Sequence, residues 1–131
     1  MKYLIFLWTL PQNILGLCIV YILKCEKYKT YKNVSFYKSN KLNSGVSLGN
    51  YIIIPKHRDK IFYSILESHE YGHHIQNLYL GWLYLFIIGI PSFCLNVIFR
   101  FSRRFMNNYY DLFPENWADK LGEKFYPIQR K

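Results

Sequence analysis

The sequence predicts an α+β, mainly α, membrane protein folded as a single domain of 131 residues. Three observations carry that expectation. Hydrophobic residues make up 51% of the chain and aromatics 20%, beside 17 Lys and Arg; apolar runs flanked by basic loops are the composition of a small membrane protein. Residues 3–23 and 78–99 carry no charged side chain. The segments between and after them show strand and helix periodicity. The net charge of +9 also suits a nucleic-acid binder. However, the basic residues cluster beside apolar runs and no zinc-finger or RNA-recognition motif is present, so the expected partner is the lipid bilayer and not nucleic acid. Cys18, Cys25 and Cys94 form neither a paired framework nor a Cys-x-x-Cys metal spacing.

Residues 3–23 are read as an N-terminal transmembrane helix. At about 1.5 Å per residue, 21 uncharged residues span a hydrocarbon core of about 30 Å. Pro11-Gln12-Asn13 interrupts the run, and polar residues of this kind are tolerated where a membrane helix packs on protein. A signal peptide is the competing reading; the apolar run is too long for one and no small-x-small cleavage site follows.

From Lys24 to Lys60 the chain holds nine Lys and Arg against Glu26 and Asp59, which favours the cytoplasmic side and suits anionic headgroups. A solvated basic face is the plainer account. Within this stretch, Val34 to Tyr37 and Val46 to Ile54 read as strands, with turn residues Asn40 and Asn43-Ser44-Gly45 between them. An antiparallel β-hairpin over residues 34–54 is expected, ended by Pro55. His57 is read as a surface histidine.

Asp59 is placed to cap a helix over residues 60–80. Phe62, Ile65, Leu66, His69, His73, Gln76 and Leu80 follow 3–4 spacing and share one face. His69-Glu70-x-x-His73 puts two imidazoles about 40° apart on that face. Both reach one divalent ion, and Glu70 lies beside them where a carboxylate takes a proton from the attacking water. Chance produces such a match on the order of once in several hundred chains of this size, so a third ligand is needed. Glu115 and Asp119 provide it if helical: one ligates and the other accepts the free ring N–H of a ligating histidine. The alternative is a solvated acidic face paired with Lys120 or Lys124. Gln76 lies on the ligand face and suits a contact to substrate or to a ligand. Tyr109 and Tyr110 are read either as donors to a tetrahedral oxyanion or as interfacial aromatics.

Residues 78–104 are expected to form a re-entrant helical hairpin bent at Gly89-Ile90-Pro91-Ser92. A single crossing would separate Glu115 from His69 and His73 and export Arg100, Arg103 and Arg104, against the positive-inside preference. Pro114 then opens a final helix over residues 114–122, with Gly122 near its end.

His69-Glu70-x-Gly72-His73 followed by Glu115-x-x-Ala118-Asp119 resembles the gluzincin metallopeptidases. The pattern is most similar to their membrane-bound branch, the CAAX-processing and bacterial heat-shock membrane proteases. The resemblance covers these two short motifs and their order. It implies a minigluzincin-like core in which His69, His73 and Glu115 hold one Zn²⁺ per chain, Glu70 is the general base and Asp119 braces a histidine. It also implies that the strand from Val46 to Ile54 holds an extended substrate by main-chain bonds. The expected protein is then a small integral-membrane zinc metallopeptidase acting on a peptide or membrane-protein substrate, in the cell inner membrane with the metal on the cytoplasmic side. The alternative is a non-catalytic, metal-stabilised membrane interaction protein, which the short chain favours. An open fourth coordination position beside Glu70 separates the two.

Overall fold

The computed structural model describes residues 1–56, 59–101 and 112–128. Helices α1 (Lys2–Trp8) and α2 (Leu10–Ile22) lead into four strands: β1 (Glu26–Tyr31), β2 (Val34–Ser39), β3 (Val46–Leu48) and β4 (Tyr51–Pro55). Helix α3 (Lys60–Leu80) follows, then a 3₁₀ turn (Gly81–Leu83), a π-helical turn (Leu85–Gly89), α4 (Ile90–Phe101) and α5 (Glu115–Phe125). The core lies between the sheet and the α3–α5 pair, where Phe36, Ile52 and Ile54 meet Tyr71, Ile75 and Leu121.

The N-terminal transmembrane helix is corrected. Among the described residues no single helix is long and apolar enough to cross a membrane, and α1 and α2 meet at a bend of 79°. The bend has a local cause. Pro11 has no N–H to offer the Leu7 carbonyl four residues earlier, which accepts instead from Trp82 Nε1 at 3.0 Å. At the break, Thr9 Oγ1 donates back to the Ile5 carbonyl at 3.0 Å, a bond that bends helices. Gln12 and Asn13 are buried against the rest of the chain. Gln12 Nε2 donates to the Gly81 carbonyl, and Asn13 Oδ1 accepts from the Asn50 N–H at 2.8 Å.

The single hairpin over residues 34–54 is also corrected, to a mixed sheet of order β1-β2-β4-β3. The segment from Val46 to Ile54 is not one strand, because it turns back on itself at Gly49-Asn50. Gly49 sits at φ +60, and a Cβ there would meet Asn13 Oδ1 at 2.1 Å. β3 and β4 therefore pair antiparallel, and β2 runs parallel to β4, with Phe36 opposite Ile52. β1 pairs antiparallel with β2 at the other edge. Its lysines conceal it in the sequence and protect it as an edge strand.

The re-entrant hairpin bent at residues 89–92 is corrected as well. The chain stays helical from Leu85 to Ile98, a short apolar helix. Pro91 sits in the first turn of α4, where a missing N–H costs least, after a widened π-helical turn. The reversal comes earlier, at Gly81 with φ +55, where a Cβ would strike the Trp8 ring at 2.2 Å. The last helix extends to Phe125, beyond the expected end at residue 122. His57, Arg103, Arg104, Tyr109 and Tyr110 lie outside the described residues.

Candidate metal centre

The site forms where α5 crosses α3, and two glycines set that crossing. A Cβ on Gly72 would lie 1.8 Å from the Ala118 carbonyl oxygen, and one on Gly122 would lie 2.0 Å from that of Ser68. Glycine costs about 1 kcal/mol against alanine inside a helix. Here it lets two backbones touch, and Gly122 is a packing residue, not a helix stop.

That contact aims Glu115 and Asp119 of α5 at His69 and His73 of α3. Glu115 Oε2 lies 2.8 Å from His69 Nε2 and 3.3 Å from His73 Nε2. The imidazole rings stand nearly perpendicular at 88°, their centroids 4.8 Å apart. All three residues are buried, and their ligand atoms lie within 4.8 Å of one another, a grouping able to hold a metal ion.

The far side of each residue is also held. His69 Nδ1 lies 2.6 Å from Asp119 Oδ1. His73 Nδ1 lies 2.7 Å from Gln76 Oε1, whose amide Nε2 donates to the Pro114 carbonyl at 3.1 Å. Gln76 thus braces His73 and ties α3 to the residue that precedes Glu115. Ser92 Oγ donates to Glu115 Oε1. Spacing alone leaves the role of Gln76 open, and nothing in the sequence points to Ser92 as a partner of Glu115. Its only signal is a hydroxyl in an apolar run just after a proline.

Glu70 is buried, with its carboxylate packed on the backbone of Gly45: a Cβ there would meet Glu70 Oε1 at 2.2 Å. Tyr84 is buried in the same region and donates from its hydroxyl to the Ser47 carbonyl at 3.0 Å. His74, off the ligand face, is buried and its Nδ1 meets the Gly49 carbonyl at 2.8 Å, which anchors the β3–β4 turn to α3.

Protonation follows this layout. Burial pushes His69 down, but its bonds to the Asp119 and Glu115 carboxylates prevail and hold it up at about 10. Burial pushes Glu115 up, and its bonds to His69, His73 and Ser92 carry it below the usual carboxylate range. Glu70 is raised by burial, against the lowering influence of both histidines. Burial lowers His74 and favours its neutral form.

The residues fit a divalent cation. Two imidazoles and a carboxylate are a common donor set for zinc, and His69 would give up the Nε2 proton that it shares with Glu115 on binding it. A four-coordinate ion with bonds of about 2.0–2.1 Å spaces its ligands about 3.3 Å apart; Glu115 Oε2 lies 2.8 and 3.3 Å from the two Nε2 atoms, and all three ligand atoms lie within 4.8 Å of one another. No family model matches the sequence, and neither a curated protein nor a solved structure matches it.

Proposed function

We propose that this chain is a zinc-dependent metallopeptidase of gluzincin type that hydrolyses peptide bonds in a peptide or protein substrate. The observation that supports this reading is the convergence of His69, His73 and Glu115 with Glu70 next along the same helix. Zinc bound to the trio would act as a Lewis acid, polarising the scissile carbonyl and lowering the pKa of the attacking water. Glu70 takes the proton from that water as its oxygen bonds to the carbonyl carbon. As the C–N bond breaks, Glu70 passes the proton to the leaving amine. Asp119 and Gln76 fix the two rings with Nδ1 outward, leaving each Nε2 lone pair for the metal.

Changing Glu70 to Gln tests the base assignment. The expected result is full metal content with hydrolysis of a quenched peptide mixture lost; wild-type hydrolysis in that variant refutes the role.

A second reading, metal held only for stability, is favoured by the burial of Glu70 and Glu115, which are 4% and 0% exposed. It predicts that the metal-loaded wild type cleaves nothing while metal removal lowers the unfolding midpoint.

A further inference from the structure

We propose that the apolar faces of α1, α2 and α4 form one docking surface for an anionic lipid bilayer, on which the protein lies in plane without crossing it. Helix α2 is turned inside out. Gln12, Asn13 and Gly16 face the protein, whereas Ile14, Leu15, Leu17 and Tyr21 are exposed. A helix partnered by water has the opposite arrangement. No residue of α1 is buried, and Leu4 is 69% exposed. On α4, Ile90, Phe93 and Val97 recur at 3–4 spacing and are exposed, Phe93 by 70%.

These faces are joined. Trp8 Nε1 donates to the Leu78 carbonyl at 3.1 Å, and Trp82 Nε1 donates to that of Leu7 at 3.0 Å. The two exposed indoles line one apolar recess with Leu4 and Leu7, which carries the surface from α1 to the segment leading into α4. Exposed apolar area on this scale marks a binding surface.

Charge selects the occupant. Exposed Lys2 opens α1, exposed Lys24 follows α2, and exposed Lys27 lies at the start of β1, where the exposed Glu26 beside it is paired with Lys56. Lysines at the ends of apolar helices, with Trp and Tyr among the exposed residues, suit an interface with anionic headgroups. A second copy of the chain would bring one charge of +9 against another. α1 and α2 are together long and apolar enough for a broken span, but the 79° bend between them and the length of α2, about 20 Å for 13 residues against a hydrocarbon core of about 30 Å, favour the in-plane orientation.

The test is flotation of the full chain, diluted from detergent, with vesicles of phosphatidylcholine alone or mixed with phosphatidylglycerol. Three lysines near the surface predict binding to the anionic vesicles stronger on the order of 100-fold, and weakened by salt. Leu4→Glu and Phe93→Glu should each reduce binding at least about tenfold with the far-UV spectrum unchanged. Orientation is read from cysteines placed singly at positions 2 and 24, with Cys18, Cys25 and Cys94 changed to Ser. An impermeant maleimide outside the vesicles should label both. Protection of one alone would mean a crossing helix and would overturn the proposal. Equal binding to neutral vesicles would overturn it too, as would concentration-dependent self-association with no vesicle binding.

Discussion

Replacing Gly72 with Ala tests how the α3–α5 crossing makes the centre. The new methyl group would start 1.8 Å from the Ala118 carbonyl oxygen, with the rest of that peptide close behind. Ordinary non-bonded contacts are about 3.5 Å, so the helices must part by on the order of 1.5 Å. Ala118 is one turn from Glu115 and next to Asp119, so both carboxylates move with it. Glu115 Oε2 now lies 2.8 and 3.3 Å from the two Nε2 atoms. A shift of that size takes it out of the bonding range of an ion held by the histidines. Disturbing the groups that merely orient a ligand costs about 10–100-fold in metal affinity, and displacing Glu115 itself should cost at least about 100-fold. Stability has two opposed contributions. Alanine gains about 1 kcal/mol of helix propensity, while overpacking costs about 1–3 kcal/mol, so the variant should be less stable. Gly89→Ala is the control, because its Cβ would meet only Leu85 and Tyr84 at 3.7 Å. The assay is competition for zinc against a chromophoric chelator, with a urea titration in parallel. Wild-type zinc affinity in Gly72→Ala would refute the close-crossing account.

Two further predictions concern the groups around the ligands. Gln76→Leu removes the acceptor on His73 Nδ1 and the tie to Pro114, and should lower zinc affinity about 10–100-fold; Gln76→Glu keeps the acceptor and should recover most of it, as chelator competition will show. Away from the candidate centre, burial pushes Glu67 up, but hydrogen bonds from Tyr126, Tyr28 and Lys29 hold it below the usual 4.5. Its contribution to stability is thus complete above pH 4.5 and lost as pH falls through the depressed folded value. Glu67→Gln should cost about 1–2 kcal/mol at neutral pH and flatten the acid limb of the urea midpoint against pH; an unchanged acid limb would place the acid sensitivity elsewhere.

What the sequence discloses depends on whether the cause is local. The grouping of His69, His73 and Glu115 is legible because helical spacing fixes the first two and one Glu-x-x-Ala-Asp motif offers the third. The Asp59 cap is equally local: its carboxylate accepts from the Ile61 N–H at 2.9 Å. The apolar character of residues 3–23 is plain, but a count of uncharged residues does not show that Thr9 and Pro11 bend the chain or that Gln12 and Asn13 turn inward. Gly49-Asn50 is a turn signal that the flanking Val, Leu and Ile residues obscure. Gly122 reads as a helix end by propensity, yet it is kept for a contact with Ser68, far earlier in the chain. Ser92 and the Pro114 tie of Gln76 exist only through tertiary contact, so no periodicity announces them.

The most direct measurement is the metal content of the purified wild type beside His69→Ala and Glu115→Ala, by inductively coupled plasma mass spectrometry under conditions that spare zinc. The account predicts about one zinc per chain in the wild type and loss in both variants, since each removes one of three protein ligands. A folded wild type without metal, or a Glu115→Ala variant that retains it, would contradict a centre built on His69, His73 and Glu115.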